Sequence, residues 1–198
     1  MIERGAGRVI AGSARGLRLV APASGARPLG DRLKEALFAM LEPELRGGAF
    51  LDLFAGSGAG GIEALSRGAD RAVFVDQAAD ASVAITRNLQ ATHLAASGSI
   101  VRADAIAWLK GKGRGAGPFR GILVDPPYDA PDLITNALEA IAAAGPNGLL
   151  AAAGVVVVKH PRRVAPPGRI GLLASVRERQ FGESALTFLR WQSREEPR

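Results

Sequence analysis

Short apolar runs alternate along this chain with stretches in which apolar residues recur every three or four positions. The first pattern has strand period and the second has helix period. Strands are predicted at 49–53, 71–75, 99–102 and 119–124. Each is followed by a helical pattern, at 60–67, 79–93, 105–110 and 131–143. Gly68 closes the first of these helices. Residues 154–159 contain Val155-Val-Val-Val, the unbroken apolar run of a strand buried on both faces. Two last strands, 172–180 and 185–191, flank Phe181-Gly-Glu-Ser and read as an antiparallel hairpin.

Upstream, Arg8-Val-Ile-Ala-Gly and Leu17-Arg-Leu-Val alternate polar and apolar residues across a turn at 13–16, which predicts a small hairpin. Residues 22–30 form a Pro/Gly loop. Asp31 is placed to cap a helix at 32–41 whose stripe is Leu33, Ala36, Leu37 and Met40, with Pro43 and Gly47-Gly48 ending it. Repeated strand–helix units imply an α/β fold: a mostly parallel, seven-stranded sheet with helices on both faces and a C-terminal antiparallel hairpin. The expected division is a basic hairpin and loop extension at 1–30 and one main domain at 31–198.

Composition narrows the chemistry. With 198 residues there is room for one domain and a small appendage. Cysteine is absent and there are two histidines, which excludes disulfides, a thiol nucleophile and Cys- or His-rich metal sites. No apolar stretch reaches the roughly 18–20 residues of a membrane span, and residues 1–16 lack the apolar core of a secretory signal. A cytoplasmic monomer without metal is the expectation. The net charge of +6 is uneven: residues 1–34 hold seven basic and two acidic residues, 159–198 hold nine and four, and the middle holds nine and thirteen. Basic ends around an acidic centre suit a polyanionic partner, because each Lys or Arg near a phosphate releases condensed counterions.

Leu51-Asp52-Leu53-Phe54-Ala55-Gly56-Ser57-Gly58-Ala59-Gly60-Gly61 runs from a strand into a helix. Gly56, Gly58 and Gly61 satisfy G-x-G-x-x-G, and Asp76 follows Gly56 by twenty residues, the spacing of an acid that grips a ribose hydroxyl. A dinucleotide or another ribose-bearing nucleoside fits that pattern. Asp52, four residues before the first glycine, would crowd a pyrophosphate. It suits an ammonium, directly or through backbone and water, such as that of S-adenosylmethionine.

Ile122-Leu123-Val124-Asp125-Pro126-Pro127-Tyr128 ends the fourth strand. Paired prolines fix φ and remove two donors, so the Asp125 carboxylate and the Pro126 carbonyl can face a ligand as acceptors only. Two acceptors at fixed spacing suit an exocyclic amine, and Tyr128, the chain's one tyrosine, can stack on a base. Other amine-methylating enzymes, on adenine N6 or cytosine N4 of DNA, could use the same segment. An NAD(P)-dependent oxidoreductase could use the glycine loop, although no residue set for hydride transfer accompanies it.

Together these motifs resemble the class I, Rossmann-like, S-adenosylmethionine-dependent methyltransferases of amino groups. Arg8-Val-Ile-Ala-Gly, the run Arg27 to Phe38, the glycine loop, Asp125-Pro-Pro-Tyr and Arg179-Gln-Phe-Gly-Glu-Ser-Ala-Leu are similar to the bacterial RsmD family, over nearly the whole chain. That resemblance implies transfer of a methyl group to the guanine N2 of one 16S rRNA nucleotide, within a 30S particle or an assembly intermediate. It implies a cofactor pocket of Asp52, Ala55, Gly56, Ser57, Gly58, Asp76, Gln77, Asp104 and Ala105, with Asp76 on the ribose and Asp104-Ala105 on the adenine. Asp125, Pro126, Pro127 and Tyr128 would hold the guanine. Arg4, Arg8, Arg15, Arg18, Arg27 and Arg32 would meet phosphates, and Asp31 and its neighbours would close over the site. The family usually has two threonines where Leu29-Gly30 stand, often Glu where Asp76 stands, and a larger apolar residue at Gly60. His93, His160, Trp108 and Trp191 read as structural.

Overall fold

The computed structural model describes residues 5–23 and 29–192. The chain divides into two compact units, Met1–Ala105 and Ile106–Arg198. Arg4 and Arg27 lie outside the described residues.

The first unit opens with the hairpin strands β1 (Gly5–Arg8) and β2 (Arg18–Val20), followed by helix α1 (Asp31–Leu45). Strands β3 (Ala49–Leu53), β4 (Arg71–Asp76) and β5 (Gly98–Arg102) then alternate with helices α2 (Ala59–Ser66) and α3 (Ala79–Ala91). β4 lies between β3 and β5 and is parallel to both, with Leu53 opposite Val75 and Asp76 opposite Arg102. The three strands therefore end at one edge, where ligands bind in sheets of this kind. Phe50, Leu51, Leu53, Phe74, Val75, Ile62 and Ile85 form the core behind that edge.

Three expectations about α1 are corrected. Its N-cap is Gly30 and no side chain caps it; Asp31 is the first helical residue, and its carboxylate accepts instead from Arg8 Nε at 3.1 Å. The buried face is Leu33, Leu37, Phe38, Leu41 and Leu45, with Lys34 among them, so the stripe is rotated away from Ala36 and Met40. Lys34 lies on that face with its ammonium turned inward, donating to the Arg8 carbonyl. Burial pushes that ammonium below the ordinary lysine range, while Glu63 and Asp31 oppose the shift. The helix also continues past Pro43, one turn further than expected, because Leu45 stays buried and secures that turn.

The segment joining β1 to β2 is clamped to α2. Fully buried Glu63 accepts from the backbone N–H groups of Ile10 at 2.8 Å and Ala11 at 3.0 Å, and from Arg67 Nε at 2.8 Å. Ser66 Oγ donates to the Ala11 carbonyl and accepts from the Ala14 N–H. At Gly12 the backbone comes so close that a Cβ would fall 1.7 Å from the Ser66 carbonyl oxygen. Asn88, on the buried face of α3, holds both the N–H and the C=O of Val20.

The second unit contains α4 (Ala105–Lys110, whose first residue belongs to the first unit), β6 (Phe119–Val124), α5 (Asp132–Ala143), β7 (Leu150–Pro161), β8 (Arg169–Ile170), β9 (Leu173–Phe181) and β10 (Ser184–Trp191). Its strands run in the order β6-β7-β10-β9-β8. β6 and β7 are parallel; β10 and β9 form the expected antiparallel hairpin. β8, which pairs with β9 over two residues, raises the count of strands outside the N-terminal hairpin from the expected seven to eight. β7 starts five residues before its valine run, because Leu150 pairs with Phe119 before an irregularity restores the register at Val155. The architecture is α/β, as expected. Among the described residues no helix is long and apolar enough to cross a membrane.

Candidate functional site

At the strand ends of the first unit, β3 leads into a tight loop with Phe54 at φ 61°, Gly56 at 53° and Gly58 at 75°. Left-handed backbone is ordinary for glycine but strains phenylalanine by about 1–2 kcal/mol, and strain of that kind collects at ligand sites. Asp76, ending β4, ties the loop down: Oδ2 accepts from the Gly56 N–H at 2.8 Å and Oδ1 from the Ala78 N–H at 2.9 Å. The twenty-residue spacing therefore joins acid and glycine directly. Asp52 is 2% exposed, and its Oδ2 accepts from the Gly61 N–H at 2.8 Å. It braces the start of α2.

Gly61 is where α2 presses on β4. A Cβ there would meet the Phe74 ring at 2.2 Å. Gly61→Ala is expected to destabilise the protein by about 1–3 kcal/mol through overpacking, read as a lower urea midpoint with an unchanged slope; a midpoint equal to wild type would contradict it.

The remaining residues expected at the cofactor lie at the same edge. Ser57 is buried, with its carbonyl held by Asn88 Nδ2 at 2.8 Å. The Asp76 carbonyl accepts from the Ala103 N–H, which sets Asp104 just beyond β5; Asp104 and Gln77 are exposed, and Ala105 is buried. The N-cap of α2 is Gly58, which has no side chain to cap the helix, and Asp52 accepts from the Gly61 N–H of the first turn. A carboxylate at a strand end, a second acid one strand over and a glycine turn fit a ribose, an adenine and an amino-acid tail. The residues present thus suit S-adenosylmethionine.

The acceptor segment belongs to the second unit. Val124 of β6 pairs with Val158 of β7, so Asp125 and Lys159 come next, side by side. Asp125 Oδ1 accepts from Lys159 Nζ at 2.7 Å. Burial pushes the Asp125 carboxyl above its usual range, and the Lys159 charge and hydrogen bond pull it back. The Pro127 carbonyl is taken by the Ala130 N–H at 3.2 Å, closing the turn. Asp125 Oδ2 and the Pro126 carbonyl have no hydrogen-bond partner among the described residues. Tyr128 is fixed at its hydroxyl by Ser184 Oγ, 2.7 Å away, and Lys159 Nζ lies 5.0 Å from its ring centroid.

Of the basic residues, Arg8, Arg15 and Arg18 are exposed on or beside the N-terminal hairpin, and Arg32 is exposed on α1. Arg8 is paired with Asp31. His160 is buried between Thr187 Oγ1 and the Pro161 carbonyl, each 2.9 Å away. The sequence reading missed Lys159, Glu63, Ser66 and Asn88. A signal was present for each: a polar residue inside an otherwise apolar strand or helix face needs a partner.

The chain is similar to known proteins over most of its length. A family model described as Conserved hypothetical protein 95 matches residues 7–190. The chain is 39% identical over 176 residues to the Bacillus subtilis (strain 168) protein named "Putative rRNA methyltransferase YlbH", covering 88% of this chain and 94% of that one. It is 41% identical over 122 residues to Ribosomal RNA small subunit methyltransferase D of Escherichia coli (strain K12), covering 61% of this chain and 60% of that protein. Among solved structures, "Putative methyltransferase yhhF from Escherichia coli" superposes with a TM-score of 0.78 at 32% identity, covering 94% of this chain and 98% of that one. With the match running from the hairpin strands through β10, the chain belongs to the Conserved hypothetical protein 95 family, the RsmD-type methyltransferases.

Proposed function

We propose that this protein transfers a methyl group from S-adenosylmethionine to the exocyclic N2 of a guanine in 16S rRNA, presented in a 30S particle or an assembly intermediate. The observation that carries this reading is the pair of unengaged acceptors, Asp125 Oδ2 and the Pro126 carbonyl, beside an anchored tyrosine ring. Names of relatives that methylate ribosomal RNA support the substrate class.

S-adenosylmethionine, when bound, supplies an electrophilic sulfonium methyl and departs as S-adenosylhomocysteine. The work left to the protein is to make an aryl amine nucleophilic. Its lone pair is delocalised into the purine, so it attacks poorly. Asp125 Oδ2 and the Pro126 carbonyl each accept one N–H, and Tyr128 holds the ring by stacking; the lone pair is then turned out of the ring plane. The nitrogen forms the new N–C bond, the electrons of the old C–S bond stay on sulfur, and the amine's extra proton leaves to solvent. Positioning and charge supply most of the rate. On the binding side, Asp76, the glycine loop, Asp104 and Ala105 would hold the cofactor. The N-terminal hairpin, clamped by Glu63, Ser66 and Asn88, would present its arginines to phosphates as a fixed surface.

Arg15→Ala and Arg18→Ala are expected to weaken binding to 16S rRNA and to reduce the slope of log affinity against log salt by about one unit each, with unchanged thermal midpoints. A slope equal to wild type in both variants would remove the hairpin from the RNA interface. The activity itself is tested with labelled S-adenosylmethionine and 30S subunits: incorporation that maps to methylguanine is expected, and activity on duplex DNA alone would overturn the reading.

A further inference from the structure

Lys159 is unusual for its position. Four valines precede it in β7, each fully buried, and a lysine that ends such a run is commonly turned out to water. Here the side chain is 7% exposed and its ammonium is 2.7 Å from Asp125 Oδ1 and 5.0 Å from the Tyr128 ring centroid. Tyr128 is tied in turn to Ser184 at the start of β10, and Ser184 pairs with Pro161, two residues beyond Lys159 in the same β7 strand. One cation thus touches both parts of the acceptor segment: the carboxylate and the ring.

Building on the methyltransferase reading, we propose that Lys159 is a positioning residue of the transfer reaction, holding Asp125 as an ionised acceptor and steadying the Tyr128 ring. The chemistry requires the ionised form. A protonated Asp125 would present an O–H donor toward an amine that itself donates, and the two would repel. A half-buried carboxylate without a counter-ion gains a proton readily, because removal from water disfavours its charge. Lys159 opposes this, and it also makes Asp125 a weaker base, so the amine's proton is released to solvent rather than stored on the catalytic carboxylate. Other groups of this unit leave Asp125 to Lys159. His160 alternates to the opposite face and is held by Thr187 and the Pro161 carbonyl, Ser184 is uncharged, and Asp129 and Asp132 are exposed.

The test compares Lys159→Met, which keeps the stem and removes the charge, with Lys159→Arg, which keeps the charge. Two readouts are taken: the pH dependence of kcat/KM for methylation of 30S subunits, and the titration of the Asp125 carboxyl carbon by NMR. The NMR readout needs no substrate. In Lys159→Met both the carboxyl titration and the acid limb of the rate profile are expected to move up by about one pH unit or more, with recovery at alkaline pH, unchanged affinity for S-adenosylhomocysteine, and partial restoration in Lys159→Arg. An Asp125 titration that stays in place in Lys159→Met overturns the proposal. So does a titration that moves while the acid limb does not, or a rate loss equal at every pH that Lys159→Arg fails to restore. If wild type itself transfers no methyl group while Asp125 still titrates, the methyltransferase reading has failed, and this role for Lys159 falls with it.

Discussion

Asp125→Ala is expected to lower methyl transfer by about a thousandfold or more, a loss of roughly 4 kcal/mol of transition-state stabilisation, while affinity for S-adenosylhomocysteine stays within about threefold. Both halves of the expectation come from the site. In the proposed reaction Asp125 provides one of two acceptors for the amine, and the other carboxylate of that turn, Asp129, is exposed four residues on. The residues suited to the cofactor, Asp52, Gly56, Asp76 and Asp104, belong to the first unit and keep their own partners. The variant leaves the Lys159 ammonium without its carboxylate, which is expected to lower stability by roughly 1–3 kcal/mol. Asp125→Asn checks for this: it keeps the shape and one acceptor oxygen and should fall between wild type and Asp125→Ala in rate. Single-turnover kinetics with calorimetry on the same samples decides the matter. Parallel loss of rate and cofactor affinity would make Asp125 a folding or cofactor residue.

The largest expected effect on stability belongs to Glu63→Ala, at about 3–5 kcal/mol. Glu63 is fully buried, and its two oxygens satisfy the N–H groups of Ile10 and Ala11 as well as the Arg67 guanidinium. Alanine would leave two backbone donors unpaired and a guanidinium, itself largely buried, with only Glu42 as an ionic partner. Glu63→Gln should lose less, since its amide oxygen can still accept one N–H, but its NH₂ then faces a donor. Urea unfolding at neutral pH measures the loss, and limited proteolysis shows its place: cleavage between Arg8 and Arg18 should appear first. Rapid cleavage elsewhere, or a loss below about 1 kcal/mol, would mean that the hairpin is held by other contacts.

Much of this was legible in the sequence because it is local. β3 and β6 fall at their predicted residues, and most other elements begin or end within one or two residues of the pattern. The twenty-residue spacing read as an acid for a ribose hydroxyl; that Asp76 also accepts from the Gly56 N–H is visible only in the folded loop. What was not legible depends on partners distant in the chain. Lys34 is 26 residues from the Arg8 carbonyl that takes its ammonium, and Asp31 is 23 residues from the Arg8 side chain that it accepts from, so neither contact is visible in the local pattern of α1. Lys159 is 34 residues from Asp125, and only the register of β6 against β7 makes them neighbours. Two-residue β8 has no periodicity of its own and exists because β9 offers it an edge.

The most direct measurement is mass mapping of 16S rRNA after incubation of 30S subunits with this protein and methyl-labelled S-adenosylmethionine. One guanine carrying a single labelled methyl group on its exocyclic nitrogen is the expected result, absent when Asp125→Ala replaces wild type. Label on a ring nitrogen, on a ribose or on a ribosomal protein, or no label in any ribosomal particle, would contradict the account.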